Sequence, residues 1–591
     1  MLVLLLRLWR HISRKRRIQI GILFCVMLAA SFAELFSISM VVPFLGVLTT
    51  PELVYEQRFV KPLIVFLDLK NPQDLLLPTT LVFVMAVVLA GSTRFLLVWL
   101  QAQISLGIIN ELATSAYHRT LNQPYAVHIS RNSSEVISGI LSKVSGGIGG
   151  TIGAVLIIIS AQLILAAIFL ALVVVDPTVA LSSLISFGAI YLLIALLTKK
   201  QLARDSERIS RASTEVVKVL QEGLGGIRDV LLEGSQAIHS MAYSQADANL
   251  RKAQASIQII SVGPRFLIEA LGMIVIAVIA YVLTSRPGGF ITMIPVIGAL
   301  VIGAQRILPL LHQSYSSWAL ILGNRESLYD ALDLLDQPFL EEKDSSSISA
   351  EIQFNHAIHL RGISFRYSPQ TPWVFSKIGI SLLKGARIGF IGTTGSGKST
   401  LVDIIMGLLK PTEGHLAVDG KRIHDGNCQA WQRHIAHVPQ AIFLSDATIA
   451  ENIAFGLPRN EIDLDRVKTA AQQAQISEAI ESWSAQYDTL VGERGAKLSG
   501  GQRQRIGIAR ALYKQADVII FDEATSALDN ETERAVMQAI DSLGENLTIL
   551  IVAHRLTTLR NCTQIVELQD GELKRVGSYA DIVGKSDQLG A

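Results

Sequence analysis

Six long apolar stretches before residue 325 constrain the fold of this chain more than any other feature of its sequence. They lie at 18–46, 77–106, 150–175, 177–198, 257–285 and 289–321. A helix needs about twenty apolar residues to cross a bilayer, and each stretch is long enough. Because a segment inside a bilayer must satisfy its own backbone hydrogen bonds, the stretches predict six transmembrane helices. Residues 1–336 are therefore expected to form an all-α transmembrane domain.

Charges around these stretches predict their orientation. The basic run from Arg14 to Arg17 precedes the first helix, and excess Lys and Arg marks the cytoplasmic side. With the N-terminus in the cytoplasm and a tight turn at Asp176 and Pro177, the long polar segments after the second and fourth helices are also cytoplasmic, and their pattern predicts helices. Segment 51–69 lies on the outer side of the membrane. Its mixture of apolar and charged residues is compatible with an amphipathic helix on the membrane surface and with a solvated loop.

The composition changes near residue 337. Residues 337–352 are polar and Ser-rich, as is typical of a linker between domains. Beyond them, β-rich runs such as 386–392 and 516–523 alternate with helical stretches, which predicts an α/β domain with a mainly parallel sheet over 353–591. The formal net charge of +2 over 591 residues gives no reason to expect a nucleic-acid partner.

A phosphate-binding loop lies at the start of this second domain. The run IGTTGSGKST at 391–400 has the spacing G-x-x-x-x-G-K-S, follows a strand and precedes an apolar helix. Glycines let backbone N–H groups approach phosphate oxygens, Lys398 supplies a charge for the β- and γ-phosphates, and Ser399 offers a hydroxyl to Mg²⁺. The candidate nucleotide-binding residues of the loop are Gly392, Thr393, Thr394, Gly395, Ser396, Gly397, Lys398, Ser399 and Thr400.

Two further motifs follow in the same domain. The apolar run VIIFDE ends with Asp522, placed to hold Mg²⁺ through water, and Glu523, placed to polarise the attacking water. A solvated turn is the alternative for this pair of carboxylates. The run KLSGGQRQRIGIARAL then predicts a second anion-binding helix N-terminus.

This combination resembles the ATP-binding cassette (ABC) family over the whole α/β domain. The resemblance implies that Ser499–Gln502 grip the γ-phosphate of an ATP held by the opposite subunit and that Tyr367 stacks on adenine, for which a plain strand-end tyrosine is the alternative. It also implies that Gln440 senses Mg²⁺, that His554 contacts the γ-phosphate in catalysis, and that Asp529 belongs to a loop joining the two ATP sites. The site residues that depend on this resemblance are Tyr367, Gln440, Ser499, Gly500, Gly501, Gln502, Asp529 and His554.

Six helices followed by one cassette is the exporter arrangement of this family. Because each ATP is held between two cassettes, a chain with one cassette must pair, and a two-fold homodimer is the simplest solution. The resemblance implies residence in a bacterial inner membrane, with the N-terminus and the cassette in the cytoplasm.

Ionisable residues within the predicted membrane helices are candidates for substrate binding. Counting about 1.5 Å per residue from the outer helix ends places Arg94, Arg265 and Arg306 roughly 24–30 Å below the outer surface. Two copies would form a collar of guanidinium groups suited to a phosphate or pyrophosphate headgroup. In the alternative, Glu269 neutralises Arg265 on the same helix, and the other two arginines extend to the cytoplasmic headgroups or to water. Two roles stay open for Glu34: a hydrogen bond within the helix bundle, or an ion pair with one of the arginines.

With these arginines and the run AELFSISMVVPFLGVL, the membrane half resembles bacterial lipid-linked oligosaccharide flippases. The expected function is therefore ATP-driven export of a pyrophosphate-linked glycolipid from the cytoplasmic leaflet. A general multidrug or lipid exporter is the alternative within transport. A protein that gates a channel or regulates a partner is the alternative outside active transport. Such a protein need not keep both Glu523 and His554, and this chain has both.

Overall fold

The computed structural model describes residues 1–57, 61, 65, 68–175, 177–284, 289–338, 352–523, 530–541, 546–553 and 559–582. Contacts divide the chain into two compact units. The first comprises Met1–Gln123 and His128–Leu340, and the second comprises Pro124–Val127 and Glu341–Ala591.

The first unit is helical, as predicted. Two membrane helices continue far beyond the apolar stretches with which they begin. Helix Leu76–Leu121 has 46 residues, and helix Pro177–Gly225 has 49. At 1.5 Å per residue they are about 70 Å long, more than twice the hydrocarbon thickness of a bilayer. The α-helices before the cassette are α1 Leu2–His11, α2 Arg14–Ser39, α3 Val41–Thr49, α4 Pro51–Tyr55, α5 Leu76–Leu121, α6 Tyr125–Ser130, α7 Ser133–Ser138, α8 Gly150–Val175, α9 Pro177–Gly225, α10 Ile227–Leu232, α11 Gln236–Val262, α12 Pro264–Thr284, α13 Gly289–Gly323 and α14 Arg325–Leu335.

Three helical segments in the described part of the chain are long and apolar enough to cross a membrane. They are Arg14–Thr49, Pro72–Leu121 and Ser133–Leu170. The other three predicted spans contain residues that the structure does not describe in full, as does the turn at Asp176. Segment 51–69 begins with helix α4, and the Tyr55 hydroxyl donates to the carbonyl oxygen of Leu69 at 3.0 Å. Most of the residues between them, which decide between a surface helix and a loop, lie outside the described residues.

Helix α1 precedes the first predicted span and was not anticipated from the sequence. Its Leu8 is 3% exposed, and its Arg7 forms an ion pair with Asp333 of α14 at 2.6 Å. The Arg7 guanidinium also lies 5.6 Å from the ring centroid of Tyr329. Residues from opposite ends of the unit thus hold α1 in place.

A π-helical segment, Gly139–Gly149, joins α7 to α8. Helix α14 packs closely against it at Gly147, where an added Cβ would lie 2.7 Å from the backbone nitrogen of Leu328. Only a residue without a side chain allows this approach, because the contacted atoms are backbone.

The second unit contains two β-sheets. A four-stranded antiparallel sheet has the order β2-β1-β4-β5, and a six-stranded sheet has the order β10-β9-β3-β8-β7-β6. In the larger sheet β9, β3, β8, β7 and β6 are parallel neighbours, and β10 is antiparallel. The strands are β1 Ala357–Phe365, β2 Phe375–Leu383, β3 Arg387–Gly392, β4 Glu413–Val418, β5 Lys421–Arg422, β6 Ile435–Val438, β7 Val518–Asp522, β8 Thr548–Val552, β9 Gln564–Gln569 and β10 Glu572–Gly577.

Helices cover the parallel sheet and complete an α/β domain. Strand β8 is buried along its whole length and β7 in all but its last residue, as expected for strands covered on both faces. The predicted fold class, an all-α membrane domain followed by an α/β domain with a mainly parallel sheet, is therefore confirmed. The helices are α15 Lys398–Ile405, α16 Cys428–Arg433, α17 Ile449–Ile453, α18 Leu464–Gln473, α19 Ser477–Glu481, α20 Gly500–Lys514, α21 Asn530–Asp541 and α22 Tyr579–Ile582.

A buried polar cluster joins α17 to α20. Asn452 is fully buried; its Oδ1 accepts from the backbone N–H of Ser445 at 3.0 Å, and its Nδ2 donates to the carbonyl oxygens of Ser445 and Thr448 at 3.0 and 3.1 Å. Arg510 of α20 donates from Nε to the Asn452 carbonyl oxygen at 2.9 Å. Burial lowers the pKa of Arg510 to about 10, so the guanidinium stays charged at pH 7 and depends on these acceptors.

We expect Asn452→Ala to destabilise the protein by about 2 kcal/mol, because it removes the Oδ1 that accepts from the Ser445 N–H and, at 3.4 Å, from Nη2 of Arg510. In a domain of this size that corresponds to a fall of roughly 4–8 °C in the melting temperature of the purified protein. Asn427→Ala is the control, since it removes two hydrogen bonds, to Arg422 and His424, at a solvent-exposed turn. An Asn452 variant that melts no earlier than the control would contradict the role of the cluster.

Candidate nucleotide-binding site

The predicted phosphate-binding loop connects β3 to α15. Its glycines adopt positive φ angles, 151° at Gly392, 84° at Gly395 and 92° at Gly397. A Cβ at Gly392 would lie 2.1 Å from the carbonyl oxygen of Leu568, and one at Gly397 would lie 2.9 Å from the Phe375 ring. The loop conformation therefore requires glycine both for its dihedral angles and for space.

Lys398 lies inside the curve of this loop. Its Nζ donates to the carbonyl oxygens of Gly392 and Thr393, both at 2.9 Å. The residue is 7% exposed, and this burial lowers the pKa of Lys398, whereas the carboxylates of Glu523 and Asp522 raise it. The three charged groups are thus close enough to interact electrostatically.

The loop leaves donors free for a phosphate. Thr393, Thr394, Gly395 and Ser399 are exposed, whereas Ser396 and Thr400 are buried. The Ser396 hydroxyl has no hydrogen-bond partner among the described residues. A glycine cradle that a Cβ would fill, a buried lysine and an unpaired hydroxyl fit the triphosphate of a nucleotide.

Tyr367 lies beside the helix that follows the loop. Its hydroxyl forms a hydrogen bond with the Thr400 hydroxyl at 3.0 Å, and its ring meets Phe365 edge to face at 5.1 Å between centroids. The side chain remains 54% exposed. An exposed ring fixed at one edge and at its hydroxyl leaves a face free for a flat aromatic base.

Glu523 and Gln440 follow neighbouring parallel strands. Glu523 comes directly after β7, and its carboxylate accepts a hydrogen bond from Nε2 of Gln440, which follows β6, at 2.7 Å. Carboxyl ends of parallel strands meet at one edge of a sheet, which is why these residues converge with the loop after β3. The φ angle of Glu523 is 51°, an uncommon conformation for a residue other than glycine that is typical of functional sites.

Asp403 in α15 also belongs to this region, and the sequence analysis did not identify it. Burial and the nearby carboxylate of Asp522 raise the pKa of Asp403 to about 6. Its one sequence signal is a charged residue within the apolar run STLVDIIMGLL.

The second predicted phosphate-binding element is the N-terminus of α20. The Ser499 hydroxyl accepts from the backbone N–H of Gln502 at 3.2 Å, and Oε1 of Gln502 accepts from the backbone N–H of Ser499 at 2.8 Å. This capping box occupies the Gln502 side chain and fixes the first turn. Ser499 and Gly500 are exposed and Gly501 is partly buried, so the end of the helix is accessible to an anion. His554 and Asp529 lie outside the described residues.

The three membrane arginines have different partners. Nη1 of Arg306 forms an ion pair with Glu34, which is 3% exposed, and Arg265 forms an ion pair with Glu269 at 2.7 Å. Arg94 is partly buried in α5 and has no hydrogen bond or ion pair with any residue in the described ranges.

The fold and the site define a P-loop ATPase built into the same chain as a bundle of membrane helices. The chain belongs to the ABC transporter family: residues 375–526 match the family described as ABC transporter, and residues 18–301 match the ABC transporter transmembrane region. The predicted family, ATP binding, and ATP hydrolysis coupled to transport are therefore confirmed.

Relatives cover most of the chain. The ATP-dependent lipid A-core flippase of Vibrio cholerae serotype O1 is 31% identical over 423 residues, which are 70% of this chain and 69% of the relative. The flippase of the same name from Pseudomonas syringae pv. syringae is 29% identical over 546 residues, 88% of each chain. The one from Ralstonia nicotianae is 28% identical over 510 residues, 84% of each chain.

A solved structure has the same fold. The bacterial Atm1-family ABC exporter with ATP bound superposes with a TM-score of 0.77 at 21% sequence identity, over 98% of this chain and 99% of the other. This chain thus shares its fold with that exporter.

We expect Glu523→Gln to lower the ATPase rate by at least about 100-fold, because the amide cannot polarise the attacking water. ATP binding should persist, since Lys398 and the loop are unchanged. ATPase rate and nucleotide binding are measured on the same purified sample. Glu572→Gln, at an exposed position of β10, is the matched control. Turnover within twofold of wild type would remove Glu523 from the catalytic role.

For Tyr367→Ala we expect the KM for ATP to rise between about 5-fold and 150-fold, from the loss of roughly 1–3 kcal/mol of base stacking. Tyr367→Phe deletes the hydrogen bond to Thr400 but keeps the ring, so its KM should stay near that of wild type. Steady-state ATPase kinetics of the three proteins distinguish the two contributions. An unchanged KM in the alanine variant would leave Tyr367 as an ordinary strand-end residue.

Proposed function

We propose that this chain is an ATP-driven exporter that moves a phosphate-bearing glycolipid out of the cytoplasmic leaflet. The observation that carries the proposal is Arg94, a guanidinium in an apolar helix with no partner among the described residues. Phe95 and Leu96 beside it are exposed large apolar residues, at 76% and 45%. An unpaired charge in such surroundings is costly, and an anionic ligand would offset that cost.

The other two arginines contribute differently. Each is neutralised by a glutamate of its own chain, so Arg94 carries the uncompensated charge of the set. A guanidinium has five N–H donors, and the ion pairs of Arg265 and Arg306 leave several of these available to phosphate oxygens. The three residues can therefore bind a phosphate or pyrophosphate while presenting one net positive charge in each chain.

The relatives support a lipid substrate. The three curated relatives above are named for lipid A-core, a glycolipid, and they match this chain along most of its length. We infer that the substrate has the same general chemistry: a lipid, an anionic phosphate group and sugars. A polyprenyl-pyrophosphate oligosaccharide is the finer proposal that the sequence resemblance suggests.

We further propose that two copies of the chain form a homodimer in a bacterial inner membrane, with the N-terminus and the cassette in the cytoplasm. The loop at 391–400 of one copy and residues 499–502 of the other would hold one ATP between them. Because such a ligand binds the closed pair better than the open one, ATP shifts the membrane helices between two arrangements. His554 and Asp529 keep their predicted roles at the γ-phosphate and between the two sites.

Mg²⁺ fits the residues present. Ser399, Gln440 and Asp522 offer oxygen ligands at the edge of the sheet where the loop and Glu523 meet, and the bound cation would neutralise charge on the β- and γ-phosphates. Glu523 orients the attacking water, and Lys398 holds the phosphate chain.

The proposal predicts that wild-type protein in liposomes transports a phosphate-bearing glycolipid when ATP is added. Two labelled probes distinguish the substrate sources: a lipid A-core type lipid and a polyprenyl-diphosphate oligosaccharide. Arg94→Ala should slow transport by about 10-fold or more, since a charge-assisted hydrogen bond contributes roughly 1.5–3 kcal/mol, whereas basal ATPase should stay within twofold.

Arg306 is tested together with its partner. Arg306→Ala alone would leave a buried carboxylate unpaired, so the informative variant combines Arg306→Gln with Glu34→Gln. The control is Arg251→Ala, which removes an exposed arginine paired with Asp247 in α11.

If neither glycolipid moves while hydrophobic drugs stimulate wild-type ATPase, the protein is a general exporter.

A further inference from the structure

A cavity lies in the first unit, lined by the π-helical segment, α9, α11, α13 and the start of α14. Its volume is about 590 Å³, within the range of small-molecule binding sites. Apolar surface makes up most of its lining, and hydroxyl, amide and imidazole groups are interspersed with it. The lining side chains that matter here are Gln258, Ser261, His312, Ser316, Asn324 and Ser327. We call this cavity the hydroxyl pocket.

The hydroxyl pocket has unused hydrogen-bonding capacity. Nδ1 of His312 is buried and has no hydrogen-bond partner among the described residues, and the side chain of Gln258 is exposed at the pocket. Ser261 and Ser316 donate to helix carbonyl oxygens at 2.6 and 3.2 Å, which leaves their oxygens free to accept. A buried polar atom without a partner is costly, so His312 favours a ligand that forms a hydrogen bond with its Nδ1.

The charge and chemical character of the lining restrict the class of ligand that the hydroxyl pocket can bind. Lys143, the lining residue with an ammonium group, is already paired with Asp330 at 2.8 Å, so the described lining presents no uncompensated lysine or carboxylate. Leu250 and Ile257 add buried apolar surface, at 9% and 6% exposure. Hydroxyl acceptors beside apolar patches suit a neutral sugar, which carries hydroxyl groups at its rim and C–H groups on its faces.

The pocket lies next to the membrane arginines along the chain. Gln258 precedes Arg265 by about 10.5 Å, and His312 follows Arg306 by about 9 Å, at the rise of a helix. In the proposed orientation both displacements point toward the cytoplasm. A lipid whose phosphate reaches the arginines would therefore place the next groups of its headgroup in the hydroxyl pocket.

We infer that the hydroxyl pocket binds the sugar residues adjacent to the phosphate of the transported lipid. This inference rests on the proposed function and adds the part of the protein that selects among phosphate-bearing lipids. A site built to hydrogen-bond a hydroxyl discriminates against a ligand without one, because its polar groups are then left unpaired. Lipids with the same phosphate but no sugar would bind at the arginines and forgo these contacts.

The test compares two probes that differ only in the sugar: a polyprenyl diphosphate bearing a hexosamine disaccharide and the same polyprenyl diphosphate without sugar. The half-saturating concentration of each lipid for ATPase stimulation is measured with full-length protein in lipid nanodiscs. Gln258→Leu should raise that concentration about 5- to 10-fold for the glycosylated lipid, as expected for one lost hydrogen bond. The value for the sugar-free lipid should stay within twofold.

Two further variants keep the test decisive. His312→Phe should show the same sugar-dependent effect, and His312→Gln, which restores an acceptor, should recover much of it. Gln245→Leu makes the same change at an exposed position of α11 outside the pocket and should affect neither lipid.

The possible outcomes distinguish a wrong sugar assignment from a wrong proposed function. If the pocket variants weaken both lipids equally, or neither, the sugar assignment is wrong while the flippase proposal stands. If neither lipid stimulates the wild-type protein, the proposed function is wrong for this substrate class, and the sugar assignment is wrong with it.

Discussion

The membrane half of this protein depends on one constraint: a backbone N–H or C=O inside hydrocarbon must find its partner within the protein. Continuous helices meet that condition, and α5 shows how far it extends. The helix keeps its hydrogen-bond ladder from the apolar stretch that begins at Leu76 into the polar sequence that ends at Leu121. Breaks occur at short connections such as Gly263, before Pro264, where the Gly263 N–H still donates to the Ile259 carbonyl oxygen at 2.8 Å.

Charged residues buried in the membrane half must also find partners within the protein. Glu34 is almost fully buried, and its partner Arg306 lies 272 positions away in sequence. The pair holds the first and last long helices of the unit together, and each residue would be expensive to bury alone. Arg94 departs from this pattern, which makes it the strongest indication of a ligand in the membrane helices. The cassette has a comparable case in Arg510, whose buried charge is met by the carbonyl oxygens of Phe443 and Asn452.

The sequence was most informative where function depends on residues close together in the chain. The phosphate loop, the carboxylates after β7 and the capped start of α20 are local motifs, and local spacing determines their geometry. The tertiary partners were not predictable in the same way. The contact of α1 with α14, the Glu34 partner and the hydrogen bonds of Asn452 each join distant segments, and a single sequence carries no signal for such pairings. Asp403 was missed because its raised pKa depends on burial, which only the packed structure reveals.

The length of α5 has a mechanical consequence. A helix of 46 residues whose hydrogen bonds are unbroken behaves as a stiff rod of about 70 Å. Tilting such a rod by about 5° around its midpoint displaces each end by roughly 3 Å, in opposite directions. A small push at the polar end is therefore delivered across the bilayer without any local unfolding along the way.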